Sequence, residues 1–380
     1  MKDLKILHLA NDEKFIDQAI RAFERAAPDA NDLYVYSSKP LKFVKSPATT
    51  VSALSVFTGK ISKNISTYDL IIIHSLNPIW YKSILKLPDH LPLVWVGWGY
   101  DYYDIIYKSR DEMLLPLTHL ELSKTTNRDS IPKKIKSLLK KHIFSKDKSK
   151  VINRINFFSP VLPSEYSMVN KKYSGEKFPE YALWNYGNLE EDFVKGFTNK
   201  QVTGDSILIG NSASAENNHL DSFDLLSNFG IDNRDIVSPL SYGDAQYRDL
   251  ILKNGQKIFG HHFEPLIDFI PIDNYVNILE SCGFVIMNHV RQQAVGNIVI
   301  MLYLGAKIFL RQECPTYTYF RDQGAVVFSI QELEKKPELL NQRLDHADMV
   351  VNRTIVKNNW SKEAANKKTI NLLRQACQFA

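Results

Sequence analysis

Short, nearly all-apolar runs that stop at polar or glycine-bearing loops recur along this chain. Tyr68 to His74 reads Y-D-L-I-I-I-H and breaks into S-L-N-P, Leu93 to Gly97 breaks into G-W-G-Y-D, and Cys282 to Met287 breaks into N-H-V-R-Q-Q. Such runs are the mark of strands covered on both faces, as in parallel sheets. Around them the alternation is regular. Leu4 to Ala10 reads as a strand, Phe15 to Ala26 as a helix (apolar at Phe15, Ile16, Ala19, Ile20 and Phe23), and Leu33 to Tyr36 as a second strand. After a connection at Tyr181 to Thr198 the series resumes. Strands fall at Ser206–Ile209, Ile236–Leu240, Leu266–Ile270, Phe284–Met287, Ile308–Leu310 and Val326–Phe328, and helices at Tyr247–Phe259 and Asp273–Ser281.

A chain of 380 residues exceeds the usual single core. The expected organisation is two Rossmann-like α/β domains, 1–185 and 186–355, facing across a cleft in the GT-B manner. A last helix in 356–380, with no strand after it, would cross back to the first domain. Many binding proteins share bilobal designs, so the architecture alone does not give the function.

In open α/β sheets ligands collect at the carboxyl ends of strands. The second half offers three polar loops there: Gly210-Asn211-Ser212, Ser241-Tyr242-Gly243, and Asn288 to Asn297, reading N-H-V-R-Q-Q-A-V-G-N. The last precedes the apolar run Ile298 to Leu304, so it opens a helix. A helix start carries unpaired N–H groups and the positive dipole end, which suit a diphosphate. Arg291, Gln292, Gln293 and Asn297 add side-chain donors, and Gly296 admits close backbone approach. Each loop alone also fits routine turn and cap chemistry. Neither a phosphate-binding G-x-x-x-x-G-K-[ST] nor a G-x-G-x-x-G after the first strand occurs, which disfavours kinase and classical dinucleotide readings.

In the first half Asp12, His74 and Asp101 each follow a strand, and in an inverting reaction any one could take a proton from an acceptor hydroxyl; a retaining reaction needs no such base, since the leaving phosphate can take the proton. Asp101 is the first choice. The alternative for Asp12 is a helix cap, and for His74 a hydrogen-bonded strand-end histidine. Trp98 offers a flat face to a sugar or an isoprenoid, or else packs in the core. No D-x-D triplet occurs, and the pairs Asp101/Asp104 and Asp221/Asp224 lack a histidine cluster, so no metal and no cofactor is expected.

The net charge of +5 is unevenly spread. Lys133 to Lys150 holds eight lysines and one acid, Asp147, hence +7 and a remainder of −2. Ile131, Ile135, Leu138, Leu139 and Ile143 recur at near-helical spacing among them, so 131–150 reads as a basic amphipathic segment for an anionic membrane, or as a solvated surface helix. No nucleic-acid motif accompanies it. Three cysteines without metal spacing fit a reducing compartment. With no signal-type N-terminus and no long apolar run, a cytoplasmic location is expected.

G-N-S-A-S-A-E-N-N-H (210–219), R-Q-Q-A-V-G-N (291–297), H-S-L-N-P (74–78) and W-G-Y-D-Y-Y (98–103) resemble the signatures of bacterial 4-acetamido-4,6-dideoxygalactose (Fuc4NAc) transferases. These act in assembly of enterobacterial common antigen. Tyr102 stands where that pattern has leucine, Asn297 where it has a small or hydroxyl residue, and the lysine-rich stretch is longer. The resemblance implies a dTDP-amino-sugar donor held by Gly210, Asn211 and Ser212, with Asn218 and His219 nearby. Arg291, Gln292, Gln293 and Gly296 would meet its diphosphate or sugar. It places His74, Asn77 and Asp101 on the side of an undecaprenyl-diphosphate-linked saccharide, at the inner face of the bacterial cytoplasmic membrane, and puts Asp12 at the acidic position of the first strand-end loop. Two alternatives stay open: a pyruvyl-type transferase with a non-nucleotide donor, and a non-enzymatic protein binding anionic surfaces.

Overall fold

The computed structural model describes residues 4–58, 62–126, 147–230, 233–268 and 270–378. The chain forms two compact units. The first comprises Met1–Ile106, Asp129–Asn188 and Lys362–Ala380; the second comprises Tyr107–Arg128 and Leu189–Ser361.

The first unit is a seven-stranded sheet. Its strands are β1 (Ile6–Asn11), β2 (Asn31–Tyr36), β3 (Thr49–Val51), β4 (Leu70–His74), β5 (Leu93–Val96), β6 (Phe157–Ser159) and β7 (Glu180–Tyr181), in the order β3-β2-β1-β4-β5-β6-β7. Every pairing is parallel. β4 and β5 are buried throughout, as their unbroken apolar runs demand. The helix Ile16–Ala26 buries Ile16, Ala19, Ile20 and Phe23. Against it lies the C-terminal helix Lys362–Cys377, whose Leu372, Leu373 and Ala376 share a core with Ile6, Phe23 and Trp184. The Trp184 indole donates to Thr369 Oγ1 at 2.9 Å, and Gln375 donates to the Tyr181 carbonyl at 3.0 Å. The chain's last helix therefore stabilises its first strands.

The second unit holds β8 (Ile207–Ile209), β9 (Ile236–Pro239), β10 (Phe263–Leu266), β11 (Phe284–Met287), β12 (Lys307–Leu310) and β13 (Phe328–Ser329), in the order β10-β9-β8-β11-β12-β13. All pairs are again parallel. β10 lies earlier than the expected Leu266–Ile270. The helix Ala245–Phe259 ends at Gly260 (φ 58°), and the turn through His261 and His262 brings Phe263 opposite Ile236. Pro265 is tolerated because β10 is an edge strand.

Residues 107–128 depart from the expected first domain. Asp221 accepts from the backbone N–H groups of Leu117 and Thr118, capping the helix Pro116–Thr126, and Leu115 N donates to Asn218 Oδ1. Leu114 and Leu122 pack on the second unit's core. The proposed basic segment falls mainly on 127–146, outside the described residues. Its tail, 147–154, is helical and buries Val151 and Ile152.

Each sheet reverses its winding once, between β1 and β4 in the first unit and between β8 and β11 in the second. Loops leaving such a pair run apart and open a crevice at the strand ends.

Truncating Leu373, fully buried in the first unit's core, should cost about 2–5 kcal/mol. Hydrogen exchange of Leu373→Ala should quicken in β1 and Ile16–Ala26 while β8 to β12 hold. Quickening confined to the second sheet would contradict this assignment.

Candidate functional site

At the β8/β11 switch point, Gly210 leaves β8 with φ 67°, and a Cβ there would lie 2.6 Å from His219 Nε2. The turn after it is fixed by Asn217. Its Oδ1 accepts from Asn211 N (2.9 Å) and from His289 Nε2 (2.8 Å), and its Nδ2 donates to Ser212 Oγ and the Ser214 carbonyl, both at 3.1 Å. Gly243 closes the neighbouring loop at φ 122°, where a Cβ would come 2.5 Å from the Ala213 carbonyl oxygen. Tyr242 is half exposed, and its hydroxyl accepts from Asn211 Nδ2 at 2.8 Å. Gln293 Nε2 donates to Asn211 Oδ1 at 3.0 Å, joining the loops after β8 and β11. Its Oε1 is buried without a partner.

The helix Val295–Leu304 starts beyond Ala294, a left-handed residue (φ 60°), and no side chain caps it. Its first-turn N–H groups, on Val295, Gly296 and Asn297, belong to half-buried residues. Arg291 lies four residues before the helix, with its guanidinium donating to the Gln292 carbonyl at 2.9 Å. Positive ends of backbone and side chain thus converge, as an anionic ligand requires.

Three residues expected to touch the donor have internal duties instead. Asn218, fully buried, donates to the Asn288 carbonyl (3.0 Å) and the Glu216 carbonyl (3.2 Å) while accepting from Leu115 N. Asn288 Oδ1 accepts from Arg311 at 2.9 Å. His219 is buried against Phe223 and Tyr247, and burial pushes its pKa down to about 3. These three shape the crevice without facing it. Sequence reasoning missed Asn217 and the bidentate Arg110–Glu216 pair (2.7 and 3.0 Å). Burial opposes the Glu216 charge, yet the Arg110 guanidinium holds its pKa below the usual carboxylate range.

At the β1/β4 switch point the expected bases are likewise engaged. Asp101, 4% exposed, accepts from Leu76 N (2.8 Å), the Trp95 indole (2.7 Å) and Trp98 N (2.8 Å). Burial raises its pKa, and those three donors pull the other way. With both oxygens occupied inside the protein it serves as a loop anchor, and the expected role as base is withdrawn. Asp12 accepts from the backbone N–H groups of Lys42, Phe43 and Val44 and anchors that loop, so the cap on its own helix is also absent. Asn77 caps the turn Pro78–Trp80.

His74 belongs to a buried chain of hydrogen bonds whose direction follows from one end. Asn31 Nδ2 donates to the Ala27 carbonyl, so Asn31 Oδ1 accepts from His8 Nε2 (3.2 Å). His8 Nδ1 must then accept from His74 Nε2 (2.9 Å), and His74 Nδ1 from the Tyr186 hydroxyl (2.6 Å). Tyr186 in turn accepts from the Trp98 indole at 2.6 Å. Neither ring has a free lone pair, which removes His74 as a base. Burial drives both pKa values down, His8 to about 4 and His74 well below its ordinary value.

This chain fixes Trp98 at the rim of the crevice. Trp98 meets Phe15 at 5.6 Å and Tyr100 at 6.4 Å between ring centroids; Phe15 and Tyr100 are 43% and 53% exposed. Tyr100 donates its hydroxyl to Ser75 Oγ at 2.8 Å, and Ser75 itself is left-handed (φ 63°). A non-glycine residue so strained at a strand end is a recurrent sign of a functional site.

The sequence model of glycosyl transferase group 56, described as 4-alpha-L-fucosyltransferase, matches residues 129–361. Among solved structures, HepE of Anabaena in complex with UDP-glucose superposes with TM-score 0.65 at 11% identity, covering 98% of this chain and 100% of its own. Sucrose-phosphate synthase of Thermosynechococcus elongatus gives 0.65 at 10%, covering 99% and 100%. The E. coli trehalose-6-phosphate structure bound with UDP-2-fluoro glucose gives 0.65 at 8%, covering 98% and 99%. The protein is thus a glycosyltransferase of GT-B fold. More narrowly, it belongs to group 56, the 4-alpha-L-fucosyltransferase family. The pyruvyl-type and non-enzymatic alternatives fall away.

The histidine pair makes the first unit acid-sensitive. An unfolded chain takes up protons near pH 6.5 and folded His8 only near 4, so the unfolded state binds more protons between them. Stability is full above 6.5 and is lost as pH falls toward 4. Urea unfolding from pH 7 to 4.5 should show a midpoint that drops more steeply in the wild type than in His8→Phe. Parallel slopes would refute this linkage.

Proposed function

We propose that the protein transfers Fuc4NAc, or a closely related 4-amino-4,6-dideoxy sugar, from a dTDP-sugar to an undecaprenyl-diphosphate-linked saccharide during synthesis of bacterial surface polysaccharide, such as enterobacterial common antigen or O-antigen. The observation that carries the donor half is the uncapped start of Val295–Leu304 beside Arg291, at the switch point of the second sheet. A leaving diphosphate develops charge there, and fixed N–H groups with one guanidinium stabilise it without a metal. Gln293 Oε1, buried and unpartnered, suits an N–H or O–H of the sugar. The acetamido N–H of Fuc4NAc is such a group. Tyr242, half exposed beside Asn211, is placed to line the base or ribose.

The acceptor half rests on the aromatic rim of the first sheet, because ring faces suit the apolar faces of sugars. Among the described residues no helix is long and apolar enough to cross a membrane. Attachment to the inner face of the cytoplasmic membrane would come from the lysine-rich segment, each lysine adding about 1 kcal/mol near anionic lipid.

Calorimetry of dTDP, UDP, GDP and CMP with EDTA present should show selective dTDP binding. Arg291→Ala should weaken it roughly 10–100-fold, the value of a hydrogen bond to a charged group. Binding of another nucleotide alone would keep the glycosyltransferase and discard this donor.

Vesicles containing anionic lipid should bind the protein, and vesicles of neutral lipid should not. Neutralising Lys133, Lys134, Lys136, Lys140 and Lys141 together should release it. Undiminished binding would sink the membrane role.

A further inference from the structure

With Asp12, His74 and Asp101 all held in internal hydrogen bonds, an inverting form of the reaction proposed above is left without its expected bases. We infer that Glu13 is that base, and that Phe15, Trp98 and Tyr100 form the platform on which the acceptor sugar lies beside it. This inference rests on the transferase reading.

Glu13 sits in the loop leaving β1, the strand on one side of the switch point, between Asp12 and the helix Ile16–Ala26. Acidic neighbours on this face are committed to structure. Asp12 holds the backbone at 42–44, Asp17 accepts from Lys45 N and Ser46 N, and Asp101 holds the loops after β4 and β5. Glu13 has none of these duties. The helix that follows is capped by no side chain, and the Glu13 carboxylate has no hydrogen bond or ion pair among the described residues. A half-buried carboxylate without a hydrogen-bond partner among the described residues, just beyond the carboxyl end of β1 at the switch point, is available to a ligand.

Its surroundings point to a saccharide. Two residues on, Phe15 exposes its ring and packs edge-on against Trp98. Glu13 also lies near enough to Tyr100 for its charge to oppose ionisation of that phenol, whose hydroxyl is pinned to Ser75. The rings are therefore held: Trp98 by Tyr186, Tyr100 by Ser75. Burial raises the Glu13 pKa, and the Asp12 charge adds to the rise. The Lys14 charge pulls the other way, and the net shift is upward.

In the step, Glu13 takes the proton from the acceptor hydroxyl as its oxygen bonds to the anomeric carbon of the nucleotide-sugar. The bond from that carbon to the diphosphate breaks, and its electron pair leaves with the nucleoside diphosphate. Attack opposite the leaving group inverts the anomeric configuration.

The test uses the full chain with dTDP-Fuc4NAc and a short-chain polyprenyl-diphosphate-linked disaccharide, measuring transfer and dTDP binding side by side. Glu13→Gln should lower kcat/KM at least about a hundredfold, keep the wild-type Kd for dTDP within about twofold and leave Tm unmoved. Formate should partly restore Glu13→Ala, and the product should have inverted configuration. Transfer by Glu13→Gln within about threefold of wild type, or a retained product, would overturn the assignment while leaving the transferase reading intact. So would a loss of fold, since it would give Glu13 a structural duty. A wild-type chain that binds no nucleotide and transfers nothing removes the transferase reading, and the base with it.

Discussion

The first unit's crevice depends on a charge carried inside it. Burial disfavours an ionised Asp101, and raises its pKa, yet three N–H donors from three places converge on its two oxygens. Leu76 follows β4, Trp95 is in β5 and Trp98 begins the loop after it. One carboxylate thus ties together the exits of two adjacent strands. Replacing it by an apolar group would leave three buried donors unsatisfied, each worth about 1–3 kcal/mol. With the loops so tied, Ser75 can hold its strained conformation and Tyr100 can reach its hydroxyl. An anchor this confined is a poor base and a good support.

The second unit solves the same problem with neutral amides. Asn217 joins Asn211, Ser212, Ser214 and His289, while Asn218 joins Leu115, Glu216 and Asn288. An amide donates and accepts at once, so two side chains hold the exits of both switch-point strands with no net charge. That suits the diphosphate proposed to bind here. A carboxylate in the place of Asn217 would add a negative charge beside the helix start, whereas the charge of neighbouring Glu216 is paired with Arg110.

Most strands were legible in the sequence because a buried parallel strand has few disguises. β1, β4, β5, β8, β11 and β12 lie where their apolar runs are. The short edge pieces β3 and β7 carry too little pattern, and β6 is three residues long. Residues 107–128 could not have been assigned to the second unit from sequence, because the carboxylate that caps their helix, Asp221, is over a hundred positions away. The site residues show a more systematic slip. Polar residues at the very end of a buried strand, or at the start of a buried helix, are the ones that tie backbone. His74 ends β4 and Asn218 precedes a helix; both point inward. Residues a step further out, such as Tyr242, Arg291 and Glu13, keep exposure. Successive residues of an extended chain face opposite ways, so a one-residue shift separates an anchor from a contact.

The histidine chain shows why a neutral network suits the platform side. Were His8 protonated, its Nδ1 and His74 Nε2 would both carry hydrogens across 2.9 Å; were His74 protonated, its Nδ1 could no longer accept from the Tyr186 hydroxyl. Kept neutral by burial, the chain has one consistent direction, from the Trp98 indole to the Ala27 carbonyl, with each donor matched to one acceptor. A single direction means a single orientation for Trp98, which is not free to flip its ring or rotate its N–H toward solvent. Salt bridges at the same depth would pay a desolvation cost of several kcal/mol per ion before gaining anything. A neutral relay avoids that cost and still holds the Trp98 ring in one orientation through its bond to Tyr186.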